Sequence, residues 1–194
     1  MKDFHFCTGE PMKLESGKSV TRPIRRRLSS WAPVQVAAVC YRRTAFSFEF
    51  LLVNTSAGKW TFPKGRLCPW LSASEAAARE ALEEAGVRGR IQESCFAHYL
   101  DLKRALGHDN RSREILIAAY LLEVRNVSPP HETDRNPTWF SPGDAKQRLA
   151  AQRTAKYARG LEQVVDAALR TLRQTDKKQL LESRRRLHWR IAQR

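Results

Sequence analysis

Two neighbouring stretches decide the fold of this chain: Gly65-Arg-Leu-Cys-Pro-Trp-Leu71 and Arg79-Glu80-Ala81-Leu82-Glu83-Glu84-Ala85-Gly86-Val87. The second stretch closes a segment whose pattern predicts a helix over 73–85. Ser72 with Glu75 three residues later forms a capping-box pattern, and the glycine at 86 stands where a helix ends. We therefore expect a strand or loop, a capped helix and a second strand in succession.

Three carboxylates of this helix, Glu80, Glu83 and Glu84, share one face because their spacing is i, i+3 and i+4. An ordinary solvated acidic face would explain them, but so would a bound cation that screens their repulsion. Hard oxygen ligands at this density suit Mg²⁺ or Mn²⁺. Arg79 can pair with Glu83 across one turn, and Gly65 permits a close backbone approach.

The spacing of the two stretches resembles the Nudix box, G-x5-E-x7-R-E-U-x-E-E-x-G-U, in which U is an aliphatic residue. Here the box spans 23 residues, from Gly65 to Val87. The fixed positions match except that Leu71 stands where the first glutamate belongs. Ala81 is a small occupant of the first aliphatic position.

The resemblance implies an α/β/α sandwich with a mixed central sheet over residues 31–172. It implies hydrolysis of a diphosphate linkage with Mg²⁺ or Mn²⁺ as cofactor. The metal ligands would be Glu80, Glu83, Glu84 and the Gly65 carbonyl; the same three glutamates and Arg79 would be the catalytic residues. Leucine at position 71 removes one carboxylate, so weaker or different metal binding is expected.

Further cations are needed if the substrate carries several phosphates, since Arg and Lys clamp phosphoryl oxygens. Arg135 lies in a segment that resembles the diphosphoinositol branch of the family, and Trp70 is a candidate for stacking on a nucleobase. For every cation the alternative is a solvated surface charge. The substrate-binding candidates are Lys59, Lys64, Arg66, Arg135 and Arg153, with Lys103, Arg104, Arg111 and Arg113 as further cations.

Composition excludes several classes of protein. The 194 residues include 35 Lys and Arg against 20 Asp and Glu, a net charge of +15. No apolar run approaches the roughly 18 residues of a membrane span, and no apolar core follows the N-terminus as in a signal peptide. Four cysteines without a C-x-x-C pair predict reduced thiols and a cytoplasmic location.

The charge concentrates at the ends of the chain. Residues 1–30 hold seven basic and three acidic residues, and residues 170–194 hold nine and two. We therefore predict a basic N-terminal arm (1–30), a Nudix domain (31–172) and a basic tail (173–194) whose leucines allow a helix. Such tails attract polyanions or are simply solvated.

Apolar and β-branched runs predict strands over 34–41, 48–54, 90–102, 114–125 and 138–140, the first two as a hairpin. Residues 56–71 have the composition of a loop. Helices are predicted from Ser141, which precedes a proline, and over 154–172.

Three hypotheses for function follow. The first is a diphosphatase for a small substrate such as a diadenosine polyphosphate or a diphosphoinositol polyphosphate. The second is removal of pyrophosphate from RNA 5′ ends, which the basic tails favour. The third is a Nudix-fold module that binds a nucleotide or nucleic acid without hydrolysis. Oligomerisation is compatible with all three.

Overall fold

The computed structural model describes residues 35–104 and 112–192. Eight strands form one mixed sheet within these ranges. Their bounds are β1 Gln35–Arg43, β2 Phe48–Asn54, β3 Trp60–Thr61, β4 Lys64–Arg66, β5 Val87–Ile91, β6 Ala97–Arg104, β7 Ser112–Val127 and β8 Thr138–Phe140. The helices are α1 Ala73–Ala85, α2 Pro142–Ala150 and α3 Ala155–Ala192.

The sheet is organised around the parallel pair of β1 and β7. β2 and β4 both pair with β1 in antiparallel fashion, β4 at its first residues and β2 at its last. The sheet therefore divides on this side of β1, where β2 and β4 pair with different parts of the same strand. The predicted hairpin of the first two strands is confirmed.

Both faces of the sheet are buried, as the near-continuous apolar run of β1 requires. Val36, Ala38 and Cys40 pack against α1, whereas Ala37 and Val39 face α2 and α3. This places helices on both sides of a mixed sheet and confirms the predicted α/β class.

Helix α1 has the predicted bounds. Ser72 accepts a hydrogen bond from the Glu75 backbone, and the Glu75 side chain accepts one from the Ser72 backbone, so the capping box is complete. Gly86 ends the helix in the left-handed conformation, with φ 65°. Ser141 likewise caps α2 by accepting from the backbone of Asp144.

The single strand predicted over 90–102 is wrong. The structure has β5 and β6 in its place, and both pair with β7 along the same edge. Between them Gln92 donates to the Leu121 carbonyl and Phe96 to the Ala119 carbonyl. Extra residues thus bulge out of an otherwise continuous edge, a feature that alternation of side chains does not reveal.

The loop predicted over 56–71 contains two short strands, β3 and β4, which exist because β2 and β1 supply their hydrogen-bond partners. The helix predicted over 154–172 continues as α3 to Ala192. Leu172 is the last buried residue of α3 among those whose side chains are described.

Within the described ranges no helix is long and apolar enough to cross a bilayer. The N-terminal arm, including its arginines, and Arg111 lie outside the described residues. The three-part division of the chain and the cytoplasmic location stay predictions.

Gly86 offers a test of this fold, because a Cβ there would lie 2.0 Å from the Ser128 carbonyl oxygen. Gly58 is also left-handed, at φ 73°, but a Cβ there would meet nothing within 4 Å. We expect Gly58→Ala to lower the free energy of unfolding by about 1–2 kcal/mol, the left-handed penalty alone. Gly86→Ala should cost roughly 2–5 kcal/mol, because overpacking is added.

The measurement is urea unfolding of both variants beside the unmodified protein. Equal losses in the two variants would show that Gly86 is needed for its φ angle and not for the close approach of the 128–130 segment.

Candidate active site

Two of the three predicted carboxylates are buried. Glu80 is 8% exposed and Glu84 is 5% exposed, so the face they occupy is not a solvated one. Helix α1 comes close to the sheet because the residues it buries there are mostly alanines: Ala76, Ala77, Ala81 and Ala85. Small side chains on this stripe bring the adjacent glutamates against strand β4.

Gly65 is the residue of β4 against which the Glu80 carboxyl group packs. A Cβ on Gly65 would lie 2.1 Å from the Glu80 carboxyl carbon and 2.2 Å from one of its oxygens. The glycine is therefore required by the Glu80 side chain itself, whose carboxyl group rests on the Gly65 backbone. Next to it, the Lys64 backbone N–H donates to Glu84 Oε2 at 3.1 Å.

Arg135 forms an ion pair with Glu84. Its Nη2 lies 3.0 Å from Glu84 Oε1, and its Nε lies 2.6 Å from Glu132 Oε2. Arg135 Nη1 also donates to the Asn54 carbonyl at 3.4 Å. The 3₁₀ turn Thr133–Arg135 thus joins β2 to the carboxylate face of α1.

Arg79 pairs with the other two carboxylates. Its Nη2 lies 3.4 Å from Glu80 Oε1, and its Nε lies 3.7 Å from Glu83 Oε1. The pairing with Glu83 across one turn agrees with the spacing argument. Glu83 is the most exposed of the three carboxylates, with 36% of its side chain accessible.

Burial changes the acidity of this group. Burial raises the pKa of Glu84 to about 7, although the Arg135 guanidinium and the Lys64 N–H pull it down. Burial also raises the pKa of Glu80, and the charge of Glu83 adds to that effect. Desolvation therefore disfavours the charged form of both carboxyls even beside their arginine partners, a perturbation that is typical of functional sites.

The donor set fits a divalent metal in its chemistry: three carboxylates beside a backbone carbonyl are hard oxygen ligands for Mg²⁺ or Mn²⁺. In the described part of the chain no three His, Cys, Asp or Glu side chains converge in a way that could hold a metal ion. Arg79 and Arg135 contact oxygens of Glu80 and Glu84 in this arrangement.

Leu71 has a structural role where the Nudix box has its first glutamate. It is partly buried and packs against the cluster of apolar side chains between α1 and the sheet. The same loop leaves Trp70 80% exposed. Position 71 has therefore become part of the apolar packing at the start of α1.

The predicted substrate-binding cations lie in different places. Lys59 is in the turn before β3, where its backbone pairs with Thr55. Lys64 and Arg66 are on β4, and Lys64 Nζ lies 3.7 Å from Asp101 Oδ2. Arg153, between α2 and α3, donates to the Leu149 carbonyl at 2.6 Å, and Arg135 contacts Glu84 as described.

Sequence reasoning missed two residues around this site. Glu132 holds Arg135, and Asp101 pairs with Lys64. Glu132 follows a Pro-Pro pair in an irregular segment, and Asp101 lies on a strand. Nothing in their local pattern distinguishes them from surface residues. The sequence also offers Tyr99 for stacking on a nucleobase, but the structure buries its side chain, which is 3% exposed.

Known proteins are similar to this chain in sequence and in fold. The sequence profile of the NUDIX domain matches residues 33–161. Nudix hydrolase 16, mitochondrial, of Arabidopsis thaliana is 35% identical over 99 residues, 48% of this chain and 53% of that protein. The chain thus spans about half the length of this curated relative.

Two solved structures are similar. The NUDIX domain of Shewanella oneidensis NrtR, complexed with ADP ribose, has a TM-score of 0.52 at 17% identity, covering 76% of this chain and 94% of that one. A binary complex of C. elegans Ap4A hydrolase has a TM-score of 0.47 at 26% identity, covering 70% and 98%. At 17% identity, the similarity to the Shewanella domain concerns the fold alone.

The Arg135–Glu84 pair can be tested without any ligand. Breaking a fully buried pair costs about 3–5 kcal/mol. Since Arg135 is 24% exposed, we expect Arg135→Gln to cost about 2–3 kcal/mol of unfolding free energy in EDTA. The double variant with Glu84→Gln should recover at least about 1 kcal/mol, because the unpaired buried charge is removed as well.

The matched control is Arg88→Gln, an exposed arginine on β5, which should change stability by less than about 0.5 kcal/mol. The pairing would be contradicted if the loss of unfolding free energy in the double variant equalled the sum of the losses in the two single variants.

Proposed function

This chain belongs to the Nudix family, and we propose that it hydrolyses a diphosphate linkage in a small polyphosphorylated substrate with a divalent metal ion. The observation that carries the proposal is the pair of buried carboxylates, Glu80 and Glu84, pressed against β4 beside Gly65. Burying two carboxylates is costly. Arg79 and Arg135 offset only part of that cost, because the pKa of both carboxyls stays raised beside them. A bound divalent cation would offset the rest.

Glu80, Glu83, Glu84 and the Gly65 carbonyl would hold the metal. When bound, Mg²⁺ or Mn²⁺ polarises a phosphoryl oxygen and makes a water molecule more acidic. Arg79 orients Glu80 and Glu83 through its two ion pairs. Glu83 is the carboxylate that solvent reaches most easily, so we assign it the task of orienting the attacking water and accepting its proton.

Arg135 changes role in this proposal. In the structure its guanidinium neutralises Glu84. A cation bound at Glu84 would make that neutralisation unnecessary and leave Arg135 for a substrate phosphate, which its planar fork can bind at two oxygens. Glu132 and the Asn54 carbonyl would keep it at the edge of the site.

The favoured substrates are diadenosine polyphosphates and diphosphoinositol polyphosphates. Trp70 discriminates between them, because its 80% exposed ring lies in the loop that leads into α1 and could stack on an adenine. An inositol ring has no aromatic face to offer.

The test is a hydrolysis screen with Mg²⁺ and with Mn²⁺. Its panel holds diadenosine polyphosphates, a diphosphoinositol polyphosphate, nucleoside triphosphates, sugar nucleotides and 5′-triphosphate RNA. We expect turnover of one class. The kcat of Glu83→Gln should fall at least about 100-fold, the size typical for lost general-base catalysis, and that of Glu84→Gln should fall as steeply because a metal ligand is lost. The measurement is phosphate or nucleotide release.

Glu75→Gln is the matched control on the same helix. Glu75 accepts from the Ser72 backbone in the capping box, and glutamine can do the same. This variant should keep its kcat within about twofold, since Glu75 serves the helix cap alone. Absence of turnover across the panel with both metals would favour the binding module instead.

A second candidate substrate, an RNA 5′ end, is favoured by one observation: α3 continues well past its last buried residue. Exposed Arg173, Lys177, Lys178, Arg185 and Arg186 follow Leu172 on this segment. A basic helical segment of this kind suits a phosphodiester backbone.

We expect the variant Lys177→Gln/Lys178→Gln/Arg185→Gln/Arg186→Gln to lose RNA turnover by at least tenfold at low salt, and much less at high salt, because the attraction is screened. Its turnover of a small dinucleotide should not change. RNA kinetics equal to those of the unmodified protein would reject RNA as the substrate.

A further inference from the structure

The last part of α3, residues 173–192, which we call the α3 extension, leads away from the carboxylate site. Helix α3 begins beside the first residues of β7, where the Tyr157 hydroxyl donates to Glu114 at 2.6 Å. Further along the helix, Asp176 pairs at 2.8 Å with Arg43, the last residue of β1. Since β1 and β7 are parallel, α3 runs along the sheet from the start of β7 to the end of β1, and the extension continues beyond that end.

The carboxylate site lies at the other end of β1. Glu84 accepts from the Lys64 backbone, and Lys64 stands opposite Ala37. From Ala37 to Arg43 the strand covers about 20 Å, at 3.3 Å per residue. The helix after Asp176 adds about 24 Å, at 1.5 Å per residue. The α3 extension is therefore too far from the carboxylates to act on the linkage that is cleaved.

The α3 extension lacks the apolar face with which α3 packs on the sheet. Buried residues of α3 recur at helical spacing up to Leu172. By the same spacing the next positions on that face are Gln179 and Ser183, and both are exposed. The described side chains from Lys177 to Arg186 are all exposed. Packing against the domain therefore does not account for the apolar residues of the extension.

Three large apolar side chains meet solvent at this end of the domain. Leu180 is 56% exposed and Leu181 is 50% exposed. They share a face of the helix with Lys177, because the three residues are spaced i, i+3 and i+4. Phe46 is 100% exposed and lies in the turn between β1 and β2, just after Arg43. Exposed apolar residues that cluster at one place, among polar ones, mark an interaction surface.

The α3 extension carries a strong positive charge. It contains seven Lys and Arg against two Asp and Glu, a net charge of +5. One of the two acids, Asp176, is paired with Arg43, so the other, Glu182, opposes the cations. This excess of like charge disfavours the pairing of the extension with a second copy of itself. A partner that fits it must be anionic.

The apolar side chains decide which anionic partner fits. The phosphodiester groups of RNA would pair with the cations but would leave the two leucines and Phe46 without partners. An anionic lipid bilayer satisfies both groups, because its headgroups attract the cations and its acyl chains accept the apolar side chains. Lys177 can keep its ammonium among the headgroups while its methylenes lie beside the leucines. Basic amphipathic helices are typical of membrane surfaces.

We propose that the α3 extension and the turn between β1 and β2 bind the surface of an anionic lipid bilayer. Leu180, Leu181 and Phe46 insert among the lipids, and the cations of the extension contact the headgroups. The helix lies on the bilayer and does not cross it. The carboxylate site, about 20 Å away along β1, stays clear of the lipid. The inference does not rest on the proposed function, since it concerns residues outside that site.

The first experiment is co-sedimentation of the full chain with vesicles in EDTA at low salt. We expect binding to vesicles of phosphatidylglycerol and phosphatidylcholine, and at least about tenfold weaker binding for Leu180→Gln/Leu181→Gln. Leu180→Met/Leu181→Met keeps the apolar surface and should stay within about twofold. Gln and Met are good helix formers, so both variants should keep the helix. The matched control is Leu102→Gln, a 45% exposed leucine on β6, which should also stay within about twofold.

The second experiment tests the charges with the same vesicles. Lys177→Gln/Lys178→Gln should weaken binding at least about tenfold, whereas Lys177→Arg/Lys178→Arg should stay within about twofold. Glu182→Gln should strengthen binding about threefold, because it removes the opposing charge. The control for net charge is Arg148→Gln/Arg159→Gln, two exposed arginines of α2 and of the first turns of α3, which should stay within about twofold.

Failure of the full chain to bind anionic vesicles would overturn the proposal. So would unchanged binding by Leu180→Gln/Leu181→Gln, because charge alone would then explain the attraction. A single-stranded RNA oligonucleotide is titrated in parallel, and binding of RNA without binding of vesicles would assign the extension to nucleic acid and reject the lipid. Since no substrate or metal is present, a failure of the proposed hydrolysis leaves each of these results unaffected.

Discussion

The burial of two carboxylates beneath strand β4 is the constraint on which the rest of the site depends. Glu80 requires a residue without a side chain at position 65, because its carboxyl group occupies the space of a Cβ. Glu84 requires a positive partner, which Arg135 supplies from a distant segment. The segment that carries Arg135 is in turn tied to the end of α1, since the Glu132 N–H donates to the Glu83 carbonyl at 3.0 Å.

The sheet makes this arrangement possible by dividing beside β1. Because β4 pairs with the first residues of β1 and β2 with the last, β4 stands apart and presents different chemistry on each side. Carboxylates of α1 pack against one face of β4, and the lysine and arginine side chains of β4 lie on the face toward α3. A short strand of three residues thereby places opposite charges next to each other while their side chains stay separate.

The departure at position 71 shows how the same loop can serve packing in place of ligation. Leu71 joins the apolar cluster under α1, whereas a glutamate there would have to place a charge among apolar side chains. The helix cap, the alanine stripe and the left-handed glycine at its end are unaffected by this exchange. The fold of the box therefore does not depend on the missing carboxylate, and the metal chemistry rests on the three that are present.

Local patterns in the sequence were sufficient for the elements whose causes are local. Helix α1 was predicted with its bounds because the capping box, the glycine stop and the helical spacing lie within fifteen residues of one another. The first strand pair and the strand at Thr138–Phe140 were predicted for the same reason. The bulge between β5 and β6, the strands β3 and β4, and the length of α3 were not, because each depends on a partner elsewhere in the chain.

The features of the candidate site also separate into those with local causes and those that depend on distant segments. Spacing on one helix determined which carboxylates share a face and that Arg79 reaches Glu83. Only the tertiary structure decided that Glu80 and Glu84 are buried, that Arg135 and Glu132 complete the site, and that the Lys64 side chain pairs with Asp101 on the other face of β4. The physical reason is that burial and long-range charge pairing depend on which strands become neighbours, and side-chain periodicity along one segment carries no information about that choice.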